Sequence, residues 1–278
     1  MKNKLLVVVT LVVLLCGLAA CYSMDPSINF DFDESLQKCD VSKTAKFQSD
    51  GATVKIDTDV YGVAVRQEDV EQIKLDYVKS NGFSFEFSEK EGELYIGVIC
   101  NDPVKQAKQD LYLLVRVPKD WTNCNYEVNT KTGDNLFFDV IAKEISLTTN
   151  TGAFALSKCE AEVLNIKNNT GSVSFDGEYE QVDVRVNTGS VNCSATVKSA
   201  TTIQVDTGSI DFSLNCPVVN AKTDTGSIHG KIKGAKADYA VSTYTSLGTS
   251  NLTNKSGDGK HSLTVSTSTG SINVVFDN

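Results

Sequence analysis

The sequence predicts an all-β fold, a parallel β-solenoid with coils of about 18–19 residues and an irregular β cap on its N-terminal side. Two observations predict it. A word of the form Asn/Asp-Thr-Gly-Ser recurs along the chain, and apolar and polar residues alternate on both sides of each copy. Alternation with period two is the pattern of a β-strand with one buried face, and a fixed repeat period is typical of stacked units.

The spacing of the repeated word defines the coil. Successive glycines of the word are 19, 19, 18, 19, 18, 22 and 22 residues apart when the degenerate copy at Gly248 is included. Each unit therefore reads as a strand, a tight corner and a second strand. The glycines are Gly133, Gly152, Gly171, Gly189, Gly208, Gly226, Gly248 and Gly270.

Two arrangements could use these units, an antiparallel meander or a parallel solenoid. In a meander every second turn faces the opposite end, so the corners would have no reason to match. Identical words at a fixed period stack on themselves only when the coils are parallel. The repeat therefore favours the solenoid.

The corner word is predicted to build the coil. Glycine supplies the positive φ that a sharp bend needs, and Asn or Asp before it can hydrogen-bond within the turn and stack as a ladder. Thr and Ser hydroxyls can bond neighbouring backbone groups. The alternative is a ligand-binding Thr-x-Thr surface, for which pairs exist at 130/132, 149/151, 223/225 and 267/269 but not in the middle coils.

The N-terminal half of the mature chain shows the same alternation of apolar and polar residues, but the turn residues between its strands are less regular. Residues 47–120 are predicted to form the irregular cap, and residues 121–278 the regular solenoid, continuous with it. A covered first edge would protect a sheet stack from pairing with other molecules. Residues 254–262 read as a loop that protrudes from the last full coil.

Residues 1–20 are predicted to be a lipoprotein signal peptide. A basic start and a short apolar run, typical of a secretory signal, precede the stretch Leu-Ala-Ala-Cys that ends at Cys21. This ending resembles the bacterial lipobox, in which the cysteine receives a diacylglyceryl group and cleavage precedes it. Cys21 is therefore the predicted lipidation site, and residues 21–46 the predicted acidic spacer. An ordinary signal peptide with a nearby cysteine is the alternative.

Net charge limits the partners. The formal net charge of the chain is −9, and removal of Lys2 and Lys4 with the signal brings it to −11. Clustered Lys and Arg favour binding to nucleic acid, so nucleic acid is not an expected partner of this acidic chain. Electrostatic docking on anionic lipid is disfavoured for the same reason, which leaves the lipid anchor as the predicted membrane contact. The predicted location is the outer face of a bacterial cell membrane.

Six cysteines follow the lipobox without a metal-site spacing. Because their spacing does not match the coil period at a common phase, we expect mostly unpaired and partly buried thiols. Pairs 23 or 24 residues apart could still meet through a loop. The six are Cys39, Cys100, Cys124, Cys159, Cys193 and Cys216.

No catalytic residue, metal ligand or cofactor is predicted. Polysaccharide-active enzymes on such folds need a basic residue beside calcium-binding carboxylates, or paired acids with a shifted pKa. Arg185 lies between Asp183 and Asn187 at an outward position and is expected to be a solvated ion-pair partner. Asp57 and Asp59 leave a calcium site as an alternative.

The two histidines, His229 and His261, are 32 residues apart in the sequence. No serine stands in the strand–turn–helix context of a hydrolase. Both observations weigh against an enzyme.

The chain resembles the putative adhesin family of bacterial domains of unknown function. The resemblance lies in "VKIDTDVYGVAVRQ", in "LYLLVRVPKDW" and in the string of NTGS coils, and it covers roughly 230 residues. It implies a right-handed, single-stranded β-helix of an exported protein and adhesion at the cell surface. It implies no set of site residues, so the ligand-binding residues stay unknown at this point.

The sequence thus predicts a cell-envelope lipoprotein whose β-solenoid is a binding module without catalysis. The expected ligand is a glycan, a matrix component or another envelope protein. One alternative is a scaffold or accessory protein associated with envelope stress. The other is a polysaccharide-active β-helix enzyme.

Overall fold

The chain forms one coiled, 19-stranded sheet in a computed structural model that describes residues 31–45, 50–102, 111–257 and 260–277. The strands that precede the corners stack into one face, called here the pre-corner face, and those that follow them stack into the post-corner face. Neighbouring strands are parallel throughout the repeat region. The fold is therefore the predicted parallel β-solenoid.

The first strand, β1 (Val41–Thr44), lies within the predicted spacer, the next six lie within the predicted cap, and the later ones form the regular coils. The strands of the cap are β2 (Thr53–Thr58), β3 (Gly62–Glu68), β4 (Lys74–Tyr77), β5 (Phe83–Lys90), β6 (Glu93–Cys100) and β7 (Tyr112–Pro118). The next are β8 (Asn125–Thr132), β9 (Asn135–Phe138), β10 (Ile141–Thr151), β11 (Phe154–Thr170), β12 (Val173–Thr188) and β13 (Val191–Thr207). The last are β14 (Ile210–Asn215), β15 (Val218–Thr225), β16 (Ile228–Lys233), β17 (Tyr239–Leu247), β18 (His261–Thr269) and β19 (Ile272–Asp277).

Helices contribute little to the described residues, which contain α1 (Phe32–Gln37) and a 3₁₀ turn at Lys236–Asp238. Within these ranges no helix is long and apolar enough to cross a membrane.

The core lies between the two faces. Leu164 is paired in register with Val182, and Ile166 with Val184, so that like residues stack from coil to coil. These side chains are at most 1% exposed. Burial of a side chain of this size contributes about 1.5–3 kcal/mol to the stability of the fold. The stacked rows of buried apolar side chains are therefore its main source of stability.

Glycine is required at the corners because the coils approach each other there backbone to backbone. Gly189 has a φ of 147°, and a Cβ placed on it would collide with the carbonyl oxygen of Gly171 in the preceding coil. The Gly189 N–H donates to the Thr207 carbonyl oxygen of the next coil at 2.9 Å. The corner glycine therefore both bends the chain and allows neighbouring coils to stack closely.

The coils at the N-terminal end do not stack in sequence order. The coil β2–β3 lies between β6–β7, which follows it in the chain, and β8–β9. Buried Gln67 of β3 joins the coils on both sides. Its Nε2 donates to the Trp121 carbonyl oxygen at 2.5 Å and to that of Ile141 at 3.1 Å, and its Oε1 accepts from the Ile141 N–H at 2.8 Å.

The same arrangement recurs at the C-terminal end. The last coil of the chain, β18–β19, pairs with β15–β16 on one side and with β17 on the other. The predicted protruding loop 254–262 is in part the segment that returns from β17 to the inserted coil. Lys255 pairs with Val241 by backbone hydrogen bonds of 2.8 and 2.9 Å, so the described part of this segment lies against the outermost strand.

Residues 31–45 differ from the acidic spacer predicted for 21–46. They form α1 and β1, and β1 pairs with β4. Phe32 packs against Ala64, Leu114 and Leu136, three apolar residues on the outward side of the post-corner face. The segment folds because these residues would otherwise be exposed to water.

Candidate functional site

The buried residues that stand directly before the corner words have a structural role. The first Thr of each predicted Thr-x-Thr pair points into the core, whereas the second is exposed. The Thr223 hydroxyl donates to the Gly208 carbonyl oxygen at 2.8 Å, and Thr267 donates to Gly226 at 2.9 Å. Asn168 takes this position in a middle coil and donates to Gly152 at 3.0 Å. A continuous Thr-x-Thr binding surface therefore does not form.

The exposed Asn side chains at the first position of the corner word form the predicted amide ladder. Asn169 Nδ2 donates to Asn150 Oδ1 at 3.0 Å, and Asn187 Nδ2 donates to Asn169 Oδ1 at 3.1 Å. These exposed amides bond to one another, so the ladder ties neighbouring coils together along one edge of the rod.

The clearest candidate site is an open cleft of about 390 Å³ on the outward side of the pre-corner face. We call it the polar cleft. It spans β8, β10, β11 and β12, whose outward residues are aligned by the parallel register into two rows across the coils. The first row is Glu127, Ser146, Asn165 and Asp183, and the second is Asn129, Thr148, Lys167 and Arg185.

The spacing of these rows follows from sheet geometry. Residues in one row are separated by the strand-to-strand distance of about 4.8 Å, and the two rows by about 6.8 Å, which is two residues along a strand. The polar cleft therefore offers a regular lattice of carboxylate, amide, hydroxyl and cationic groups.

The charges in the polar cleft are only partly compensated. Arg185 donates to Asp183 at 3.2 Å, and its side chain stays 56% exposed, which confirms the expected solvated ion pair. Lys167 is exposed and has no ion-pair partner within the described ranges. Glu127 accepts from Lys55 at 3.0 Å, a hydrogen bond that raises the pKa of Lys55. The side chains of Lys167 and Arg185, the cationic groups of the second row, are exposed and can therefore reach a ligand.

Asp57 and Asp59 already have protein partners. Asp57 accepts from Asn129 at 2.9 Å, and Asp59 accepts from Lys131 at 2.7 Å and from the Cys100 N–H at 2.9 Å. Burial acts to raise the pKa of Asp59, but these hydrogen bonds outweigh it and hold that pKa below its ordinary value. The arrangement stabilises the carboxylate without a calcium ion.

The histidines lie apart from the polar cleft. Exposed His229 lies 3.3 Å from Asp211 on the outward side of the post-corner face, and His261 begins β18 at the opposite edge of the sheet. In the described part of the chain, no three His, Cys, Asp or Glu side chains are grouped so that they could hold a metal ion.

The six cysteines in the described residues are all free, where mostly unpaired thiols were expected, and four of them are buried. Burial raises the pKa of the Cys124 thiol to about 11 and that of Cys159 to about 12, and it also raises the pKa of Cys193. These thiols are therefore core residues. Cys21, the predicted lipidation site, lies outside the described residues, as do residues 1–20.

Sequence reasoning did not identify the polar cleft. Its residues occupy outward strand positions, which look unremarkable one at a time. Alignment of outward residues in steps of 18 or 19 along the chain, the coil period, is the signal that could have found its two rows.

One family model and several solved structures match the chain. The family model described as Toastrack DUF4097 matches residues 52–275. A putative adhesin from Parabacteroides merdae has 14% identity and a TM-score of 0.49, with 84% of this chain and 95% of that chain covered. A putative adhesin from Bacteroides fragilis has 13% identity and a TM-score of 0.44, with 84% and 96% covered.

A third solved structure, a putative cell adhesion protein from Clostridium sporogenes, has 11% identity and a TM-score of 0.35. The match covers 85% of this chain and 99% of that chain. No curated protein matches the chain.

Proposed function

The chain belongs to the Toastrack DUF4097 family, and from this premise we propose that it is a lipid-anchored binding module of the bacterial cell envelope that holds a glycan in the polar cleft. The observation that carries the proposal is the alignment of eight polar side chains into two rows across four neighbouring coils. The role is adhesion or ligand capture, without catalysis.

The chemistry of the polar cleft suits a chain of sugars. Sugar hydroxyls both donate and accept hydrogen bonds, so a site for them needs carboxylate, amide and cationic groups together. Asp183 and Glu127 supply acceptors, Lys167 and Arg185 supply donors, and Asn165 supplies both. A polymer of sugars also matches a site whose polar groups recur at regular intervals of about 4.8 Å, because successive coils can contact successive parts of the polymer.

The proposed anchor is the lipid on Cys21. Asp31, the first residue described, is ten positions after Cys21, and an extended chain of that length spans at most about 33–36 Å. The N-terminal end of the rod would therefore stay near the membrane, with the rows of the polar cleft running outward along the rod. A Cys21→Ala protein that still fractionates with the membrane would contradict the anchor.

Binding to an array of bacterial and host glycans tests the proposed ligand class. The full chain is expected to retain specific glycans, and Arg185→Gln together with Lys167→Gln is expected to reduce retention at least tenfold, because each removes a charge-assisted hydrogen bond. Lys231→Gln is the matched control, since Lys231 is an exposed lysine on the post-corner face. Equal loss in the control, or no retained glycan, would overturn the proposal.

The same glycans separate binding from catalysis. Under the proposal, incubation with the full chain leaves every retained polysaccharide at its original length. Release of oligosaccharides, abolished by Arg185→Gln, would instead identify a polysaccharide-active enzyme.

A further inference from the structure

A second cleft lies at the edge of the sheet opposite the glycine corners, and the out-of-sequence coil creates it. After β16 the chain passes over the start of β18 and continues in β17, one coil further out. This crossing, at residues 234–239, leaves an open cleft of about 360 Å³ between itself and the turn at Cys216 and Pro217. We call it the crossover cleft.

Two lysines give the crossover cleft its charge. Lys198 and Lys233 line it, both are exposed, and neither has an ion-pair partner within the described residues. Asp238 is the one acid among the residues that line this cleft. The two lysines outnumber Asp238, so the residues that line the crossover cleft carry a net positive charge in a chain whose net charge is −9.

The remaining wall is formed by rings and small polar groups. Tyr239 and His261 contact each other with ring centroids 5.0 Å apart, and Tyr239 is held in place because its hydroxyl donates to the Cys216 carbonyl oxygen at 2.8 Å. The Nδ1 atom of His261 is buried and has no hydrogen-bond partner among the described residues. Thr196 and Asn215 add groups that can bond to hydroxyls. The wall is therefore rigid and partly unsatisfied.

We propose that the crossover cleft binds a single anionic sugar unit, with its carboxylate or phosphate between Lys198 and Lys233. A volume of about 360 Å³ suits a ligand of that size. The ammonium groups supply charge-assisted hydrogen bonds to the anion, and Thr196 and Asn215 contact the hydroxyls. This site is separate from the polar cleft, so the inference does not depend on the function proposed for that cleft.

Calorimetric titration of the purified full chain at low salt tests the inference. The probes are glucuronate, which carries a carboxylate, glucose 6-phosphate, which carries a phosphate, and glucose, which is neutral. We expect saturable binding of at least one anionic sugar with a Kd of about 1 mM or tighter, and none of glucose at the same concentration. The tighter of the two anionic sugars identifies the anionic group. Absence of saturable binding, or equal binding of glucose, would overturn the proposal.

Variants then locate the site. Lys198→Gln and Lys233→Gln are each expected to weaken binding about tenfold, the loss of one charge-assisted hydrogen bond. Lys222→Gln is the matched control, because Lys222 is an exposed lysine on the pre-corner face, 3.3 Å from Asp224. Thermal unfolding of each variant verifies the fold, which these surface changes should leave intact. An effect of Lys222→Gln as large as that of Lys233→Gln would refute the assignment.

Discussion

The Thr223 hydroxyl donates a hydrogen bond of 2.8 Å to the carbonyl oxygen of Gly208, the corner glycine of the preceding coil. Thr267 and Thr245 make the same contact, at 2.9 and 3.0 Å, with the corner glycines of the coils on which they stack. The contact links a buried side chain of one coil to the bend of another. It explains why Thr stands directly before the corner word in several coils.

Thr223→Val is expected to lower the free energy of unfolding by about 1 kcal/mol, because it keeps the shape of the side chain and removes this hydrogen bond. Chemical denaturation measures the change. Thr225→Val is the matched control, since Thr225 lies in the same strand and is exposed. A loss in the control as large as that in Thr223→Val would mean that the buried contact contributes nothing.

Gly189→Ala is expected to destabilise the protein by several kcal/mol, because the new Cβ collides with the Gly171 carbonyl oxygen at a positive φ. The fair comparison is Gly51→Ala. Gly51 also has a positive φ, 96°, but a Cβ there meets nothing within 4 Å, so that variant loses only the conformational term of about 1–2 kcal/mol. Equal midpoints of thermal unfolding would show that the coils can move apart at the corner.

Truncation after residue 257 is expected to damage the solenoid more than the loss of an end repeat would. It removes β18, which lies between β15 and β17, and β19, which pairs with β16, and with them buried Leu263, Val265 and Ile272. Each such side chain contributes about 1.5–3 kcal/mol when buried. β17 would also lose its partner, so limited proteolysis should cleave the segment 234–257.

Deletion of residues 237–258 is the control for that truncation. It removes the outermost coil and lets β16 continue directly into β18, as consecutive coils do elsewhere in the rod. We expect β18 and β19 to stay resistant to protease in this variant. Equal proteolysis of the two variants would contradict the inserted position of the last coil.

The attachment of α1 to the solenoid is expected to weaken in acid. Arg66 donates to Asp33 at 2.8 Å and lies over the Phe32 ring at 4.1 Å. The hydrogen bond from Arg66 lowers the pKa of Asp33 in the folded state below its ordinary value of 3.8. The stabilisation is therefore complete above that value and is lost as the pH falls through the lower, folded-state pKa.

Hydrogen exchange of the Leu36 and Lys38 amides as a function of pH measures this weakening. Asp33→Asn should abolish the acid-dependent step, because its side chain does not titrate. A step of the same size in Asp33→Asn would assign the effect to another carboxylate.

The buried thiols are expected to resist alkylation in the native protein at about pH 8. The raised pKa values leave almost no thiolate on Cys124 and Cys159, and the thiolate is the reactive form. Cys193 should behave in the same way, whereas denaturant should expose all of them to the reagent. Rapid labelling of Cys193 without denaturant, followed by mass spectrometry, would disprove its core position.

The fold was predictable wherever one periodic pattern decided it. Val184 and Val186 alternate with polar residues, and both are buried as expected. The order of the coils was not predictable, because β18 carries the same pattern as β15 and could stack on any coil of the same width. The position of α1 was equally hidden, since Phe32 lies in an acidic, weakly patterned stretch and its partners lie on the outward side of the solenoid.

The candidate binding sites were the least predictable features. The polar cleft joins residues such as Asn129 and Arg185 that are far apart in the sequence and ordinary in type. The crossover cleft depends on the path of the chain between β16 and β17, which no local pattern encodes. Both sites result from stacking, so they appear only once the register between coils is known.

The inserted coil β18–β19 limits growth of the rod at its C-terminal end. A repeat added after β19 could not extend the stack of pre-corner strands, because β17 and not β18 is the outermost of them. Duplication of an internal unit of 18 or 19 residues could extend it, and would move the two caps apart by about 4.8 Å without any new edge. Relatives of different length should therefore differ in the number of middle coils, and keep their ends.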